Sequence, residues 1–244
     1  MRHGAGHGIG SWTDGASDIH VSHCFIHHNL GSGVYLRGAG GVTVRRCRII
    51  HNGNGITGGG CRDVIVEGNE VAYNDYDGVV FSHNSSNITI RANFIHHHAR
   101  WGHPDNIQFF MGVSNVTVER NVLLDGGQAV MMEGIEKGAL RDNLIVGTEA
   151  YAVILGHDTV RQFTVDHNTI VLCGWGAVSS TRGRHTITNN ILCPGYGAAL
   201  AGRKLDGLHS DHNLFWHGPD PHGTLFAVGG IWTAALDEHR SHNS

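Results

Sequence analysis

The sequence is poor in what helical, membrane-spanning or nucleic-acid-binding proteins need. It has no long apolar run, so no segment reads as a bilayer-spanning helix. Only 16% of its residues are charged, only eight are Phe, and four prolines stand against thirty-six glycines. That balance suits many short strands joined by tight turns. The net charge is −4 with His neutral, which excludes a global basic field for nucleic acid; an anionic ligand would need local positive charge. The five cysteines (Cys24, Cys47, Cys61, Cys173, Cys193) are odd in number and form no CxxC pair, so the spacing excludes an ordinary structural zinc site. Met1 runs at once into Arg-His-Gly repeat material without an apolar leader. We expect a secreted or periplasmic monomer whose leader is absent from this chain and whose ends are both cut. No membrane or nucleic-acid partner is expected.

What the chain does contain is a repeat. A unit of the form (Asn/Asp)-Val-x-Val-x-x-Asn-x-Ile, a turn, then Gly-Val-x-Leu recurs through it. Its polar anchors are Cys24, Cys47, Asn69, Asn93, Asn121, Asn143, Asn168, Asn190 and Asn213, at intervals of 22 to 28 residues. Within a unit apolar and polar residues alternate, as in Asn87-Ile88-Thr89-Ile90, Asn93-Phe94-Ile95-His96 and Ile107-Gln108-Phe109. Period-two alternation means strand. Three strands in so short a unit pair best with the equivalent strands of the next unit, which gives an all-β parallel β-helix of about nine coils. The Asn column then has a structural cause: stacked amides bond the backbone of a bend and each other along the axis. Cys24 and Cys47 continue that column as small buried side chains. The β-helix is expected over 1–218, followed at 219–244 by an irregular segment with a short helical excursion from Gly230 to Arg240.

On these repeats, from about Asp18 to Phe215, the chain resembles the right-handed parallel β-helix proteins of the pectate-lyase-like superfamily. That superfamily includes polysaccharide lyases, uronan C5-epimerases and some glycosidases. The resemblance implies a substrate trough along the Gly-Val-x-Leu strand, walled by the turns on either side. Glycosidases of this fold carry an adjacent Asp pair. None occurs here, and inverting hydrolysis needs two carboxylates spaced around a water. Hydrolase therefore ranks below lyase or epimerase. Asp166-His167-Asn168 echoes a pectate-lyase strand, but its Asn is an anchor of the repeat.

The stretch from Arg100 to Gln108 interrupts the repeat with a longer turn, and such insertions cluster on a solenoid's functional face. Aligning the coils sets Asp77 beside Asp105, flanked by Asn54 and Gln128, with Val80, Gln108 and Met131 in the next outward column and Ser82, Phe110 and Glu133 beyond. Adjacent carboxylates should raise one pKa unless a cation bridges them, and Ca²⁺ held by Asp77 and Asp105 suits the pair. Lyases and epimerases both remove the proton on C5, so the assignments follow that chemistry. His103 is the base, Arg100 or Ca²⁺ neutralises the substrate carboxylate, and Tyr76 delivers or returns a proton. Gln108, Trp101, Glu133 and His97 bind substrate, with His97 a second candidate base. His27, His28, His51, His96 and His98 read as solvated, and Trp12, Trp175, Trp216 and Trp232 as packing residues. Two further classes stay open: a non-catalytic glycan-binding scaffold, and a periplasmic metal-handling accessory protein.

Overall fold

In the computed structural model the described residues are 6–98, 104–156, 160–180, 183–202, 207–216, 226–228 and 231–233. Their strands stack into three sheets, two of nine strands and one of eleven. Every pairing is parallel except one at the C-terminal edge. One coil runs from a strand such as Val79–Ser82 in the first sheet, through Ser86–Arg91 in the second, to Phe94–His96 in the third. The chain then turns back to the first sheet one rung further on. Among the described residues no helix is long and apolar enough to cross a membrane.

The alternation seen in the sequence decides which side chains fill the interior. In the first sheet Val34, Ile56, Val79, Ile107, Val130, Val153, Val178 and Leu200 pair rung by rung. All eight are fully buried. Each aliphatic lies about 4.8 Å from its like in the next coil, so the core is a set of parallel columns. Phe81, Phe109 and Phe163 are the largest fully buried side chains and thicken it mid-way.

The bend between the second and third sheets is built identically in coil after coil. His23, Arg46, Ala92, Arg120, Asp142, His167, Asn189 and His212 all take φ between 50° and 57° there, with Gly68 at 63°. A left-handed residue just before each anchor turns the anchor's side chain into the interior. The Asn ladder follows. Asn69, Asn93, Asn121, Asn143 and Asn168 each give their backbone N–H to the amide oxygen of the next anchor at 2.8–3.0 Å. Their side-chain NH₂ groups reach back to carbonyls of the preceding coil. At the N-terminal end the sulfurs replace the amides: Cys24 N–H donates to Cys47 Sγ at 3.4 Å, and Cys47 N–H donates to Asn69 Oδ1 at 2.9 Å. Asp166-His167-Asn168 belongs to this bend, with His167 as its left-handed residue and Asn168 as a ladder amide.

One expectation fails at the C-terminus. Ile231–Thr233, read as the start of a helical excursion, is a strand antiparallel to Phe226–Val228, which itself extends the first sheet from Ala198–Gly202. The unpaired sheet edge satisfies its backbone groups with a hairpin, and that outweighs the weak helical pattern. The remainder of that segment, 234–244, lies outside the described residues.

Replacing Asn121 by Ala would orphan the N–H of Asn93 and the backbone groups Asn121 now serves. We expect a loss of about 2–4 kcal/mol, read as a lower urea midpoint. Asn115→Gly, at an exposed asparagine whose φ is 52°, should shift stability by no more than about 0.5 kcal/mol. Equal effects would show that the amide column does not hold the coils together.

Candidate functional site

The turn that returns from the third sheet to the first is where the coils differ. It occupies 73–78 and 125–129 in two coils but 97–106 in the one between them, so the insertion anticipated from the sequence is present. Residues 99–103 lie outside the described residues. Arg100, Trp101 and His103 are therefore without a structural placement.

The residues framing that insertion are placed. Gly55, Gly78 and Asn106 donate their backbone N–H to the carbonyls of Asp77, Asp105 and Gln128. Asn54, Asp77, Asp105 and Gln128 thus form one column across four coils, in the expected register. Asp77 N–H is bonded by Asn54 Oδ1 at 3.2 Å, and Asp105 N–H donates to Asp77 Oδ1 at 2.8 Å. Three residues further on, Val80, Gln108 and Met131 pair in sequence, with Gln108 Nε2 3.9 Å from Met131 Sδ.

Burial differs from expectation. The sequence reading placed the two carboxylates on an open trough, but Asp105 is only 2% exposed and Val80 only 6%. Alternation along a strand fixes inside and outside; a turn residue has no such rule, and here the Asp105 carboxyl folds under. Burial, and then the neighbouring Asp77 charge, push the Asp105 carboxyl up to about 8. Burial also raises Asp77, while the Asp105 N–H pulls it back. Both carboxyls are thus held toward the protonated form, Asp105 the more strongly, as like charges at close range require.

Around this pair the polar interior is incompletely satisfied. Asp105 Oδ1, Asn106 Oδ1, Gln128 Oε1 and His98 Nε2 are buried side-chain atoms without a hydrogen-bond partner among the described residues. Folded proteins leave only a few such atoms, and four of them at one corner mark it as a place where a ligand could pair them. Gly78 is required here, because a Cβ on it would lie 2.6 Å from both His98 Nε2 and the Asn106 carbonyl oxygen.

His98 corrects a second expectation. It is 4% exposed, and burial, with a smaller contribution from His96 and His97, holds its imidazole down to about 3. It ends an inner ladder in which Asn29 N–H meets Asn52 Oδ1, Asn52 N–H meets Asn74 Oδ1, and Asn74 N–H meets His98 Nδ1 at 3.3 Å. Each of these residues stands five after an anchor of the repeat, a periodicity that would have marked His98 as interior. The next residue of that series is Gly126, and the amide oxygen of Asn106 lies 3.1 Å from where its Cβ would be. Asn106 thus occupies the rung that Gly126 leaves empty.

The other expected site residues are not all brought together. Tyr76 is 47% exposed and adjoins Asp77 in the chain. Glu133 ends the strand Val130–Glu133, one coil beyond Gln108 and in the neighbouring column. His97 is not on the trough. Its Nε2 is 3.1 Å from Asp125 Oδ2, and its ring continues an outer stack of His28, His51 and Tyr73 with centroids 5.1–5.3 Å apart. A left-handed φ of 53° at His97 points it away from the interior that His98 enters. His96, expected to be solvated, is 5% exposed and packs on Phe94 at 3.9 Å between ring centroids. Among the described residues no group of three or more His, Cys, Asp or Glu is arranged to hold a metal ion.

Two protein families match the chain in sequence. Residues 2–106 match the family described as "Right handed beta helix region", and residues 103–197 match "Periplasmic copper-binding protein (NosD)". No curated protein matches it. Among solved structures it is similar to the Agl-KA catalytic domain, with 13% identity and a TM-score of 0.56 over 88% of this chain. It spans 52% of that protein's length. It is also similar to the alginate lyase of Paenibacillus sp. str. FPU-7, with 12% identity and a TM-score of 0.61 over 82% of this chain and 76% of that one. Nine rungs of parallel strands, a continuous Asn ladder and these likenesses agree: the chain has the right-handed parallel β-helix fold.

Proposed function

We propose that the protein acts on a uronic-acid-containing glycan by removing the proton on C5, as a β-elimination lyase or a C5-epimerase, with the Asp77–Asp105 corner at its reacting centre. The observation that carries the proposal is the buried Asp105 carboxyl, its backbone N–H bonded to Asp77 Oδ1, amid side-chain atoms without partners among the described residues. Perturbed carboxyls of this kind concentrate at working sites. The structural likeness to an alginate lyase supports the substrate class.

The C5 proton lies α to a carboxylate and is very weakly acidic until that charge is neutralised and the developing enolate is stabilised. Asp77, half-buried at the surface of the column, faces the reacting ring, with Asp105 behind it as the group that fixes its position and charge. Arg100 neutralises the substrate carboxylate, His103 takes the C5 proton, and Tyr76 returns or delivers one. Gln108, Trp101 and Glu133 hold the chain of sugars. The two reactions differ only in where the second proton goes. New absorbance from a C4–C5 double bond identifies a lyase. Loss of label from C5 without chain cleavage identifies an epimerase.

A second reading rests on the chemistry of the partnerless atoms. Three of the four are oxygens, on Asp105, Asn106 and Gln128. Carboxylate and amide oxygens are the donors that Ca²⁺ takes. Asp77 and Asp105 would hold the cation, which would supply charge neutralisation for the substrate carboxylate. The copper-binding description of one matching family has no counterpart in a soft or imidazole-rich ligand cluster among the described residues.

Three measurements test these assignments. On a screen of uronic-acid polymers, Asp77→Asn should lower kcat by roughly 10²–10⁴ with little change in Tm, and His103→Ala should do likewise. Unchanged turnover in either removes that residue from the mechanism. The raised Asp105 carboxyl binds a proton in the folded state that the unfolded chain has already lost between pH 4 and 8, so stability should fall as pH rises through that window and level off above it. Asp105→Asn should flatten the profile and gain on the order of a few kcal/mol at pH 9 relative to the native residue; parallel profiles would refute a raised Asp105. Finally, Ca²⁺ binding must ionise Asp105, so adding Ca²⁺ at pH 7 should release about one proton and raise Tm. Absence of both discards the cation.

A further inference from the structure

The N-terminal end of the same sheet carries a surface that the sequence reading took for packing. Trp12 is 61% exposed. Its indole lies over Gly10, where a Cβ would approach Nε1 to 2.9 Å, so the absence of a side chain at Gly10 lets the ring lie on the strand. Gly10 pairs with Tyr35 in the next rung, and the Trp12 and Tyr35 rings are 5.1 Å apart. His7 completes the group. It stacks on Tyr35 at 4.3 Å with planes 15° apart, and its Nδ1 is fixed by the Ser32 N–H at 2.7 Å. Three rings therefore form a fixed aromatic surface on the outer face of the trough sheet.

Two features suit this surface to an acidic sugar rather than to an apolar partner. Arg37 projects from the same face as Tyr35, two residues along the strand. Among the described residues it pairs with Asp14 at 3.4 Å, and both side chains are more than half exposed, so that pair is weak and readily exchanged. The surface is also in register with the corner described above. From Tyr35 the outward column runs through Thr57 and Val80 to Gln108. That is three rungs, or about 14 Å, open at Tyr35 and Thr57 and closing at Val80.

We propose that Trp12, Tyr35 and His7 form a sugar-stacking subsite for a non-reacting ring of the glycan whose reacting unit lies at the Asp77–Asp105 corner, with Arg37 taking that ring's carboxylate. An aromatic face against the C–H face of a pyranose, and a guanidinium for the carboxylate, are the two contacts such a ring offers. The subsite rests on the proposed function for the direction of the chain, but its own test is binding.

The test is a fluorescence and calorimetric titration of the full chain with alginate and pectate oligosaccharides of increasing length. Wild type, Trp12→Ala, Trp12→Phe and Arg37→Ala are compared, with Trp216→Ala as the exposed-tryptophan control and circular dichroism to establish folding. Wild type should bind the longer oligosaccharides more tightly than the shortest. Trp12→Ala and Arg37→Ala should each lose roughly tenfold on the longer ones, Trp12→Phe should recover most of that loss, and Trp216→Ala should bind as wild type does. Full affinity in Trp12→Ala overturns the subsite even if Asp77→Asn abolishes turnover. Loss of binding in Trp12→Ala with no turnover by wild type sustains the subsite and sinks the enzymatic reading. Failure of wild type to bind either series overturns the subsite outright.

Discussion

Stacked amides at one bend set the register of everything else. Each interior Asn accepts the backbone N–H and the amide of the preceding anchor and donates to a carbonyl of that preceding coil, so a slip of one residue would break several buried hydrogen bonds and turn a strand's aliphatic face outward. The ladder therefore fixes more than stability. Because the strand lengths are nearly constant, it also fixes which residues of distant coils become neighbours. Asp77 and Asp105 are 28 residues apart and in contact because the rungs between them are in phase.

The corner where they meet departs from the economy of the rest. In the three coils before it the inner turn repeats an Asn, at Asn29, Asn52 and Asn74, linked by hydrogen bonds from rung to rung. At the inserted turn the series changes to His98 and then to Gly126, and the space is filled from another direction by Asn106. The result is a neutral imidazole, a protonated carboxyl and two amides with atoms unpaired. Polar groups left in this state in a rigid frame are available to a ligand, and the rigidity of the coils on either side keeps them in position.

How much of this was legible follows from which rules a sequence obeys. Period-two alternation gives strands and their buried faces, and the anchor spacing gives the register, so the columns Asn54–Asp77–Asp105–Gln128 and Val80–Gln108–Met131 could be written down directly. In a turn no periodicity says which side chain points inward, and the errors collect there. Asp105 was expected on the surface and is buried, while His96 and His98 were expected in solvent and are enclosed. For His98 a signal existed in its place five residues after Asn93, matching Asn74 after Asn69. For Trp12 the deciding feature is a bare glycine beneath the ring and a tyrosine one rung away. That is a relation between coils, which composition alone does not express.

The proposed site requires the Asp105 carboxyl to be held well above the ordinary range by its burial and by Asp77 beside it. Following the carboxyl ¹³C shifts of the aspartates through a pH titration measures this directly, with Asp105→Asn used to assign the resonance. The account predicts one buried aspartate titrating at about 8 and a second that responds as the first loses its proton. Two aspartates at this corner that both titrate near 4, in the ordinary carboxylate range, would contradict it.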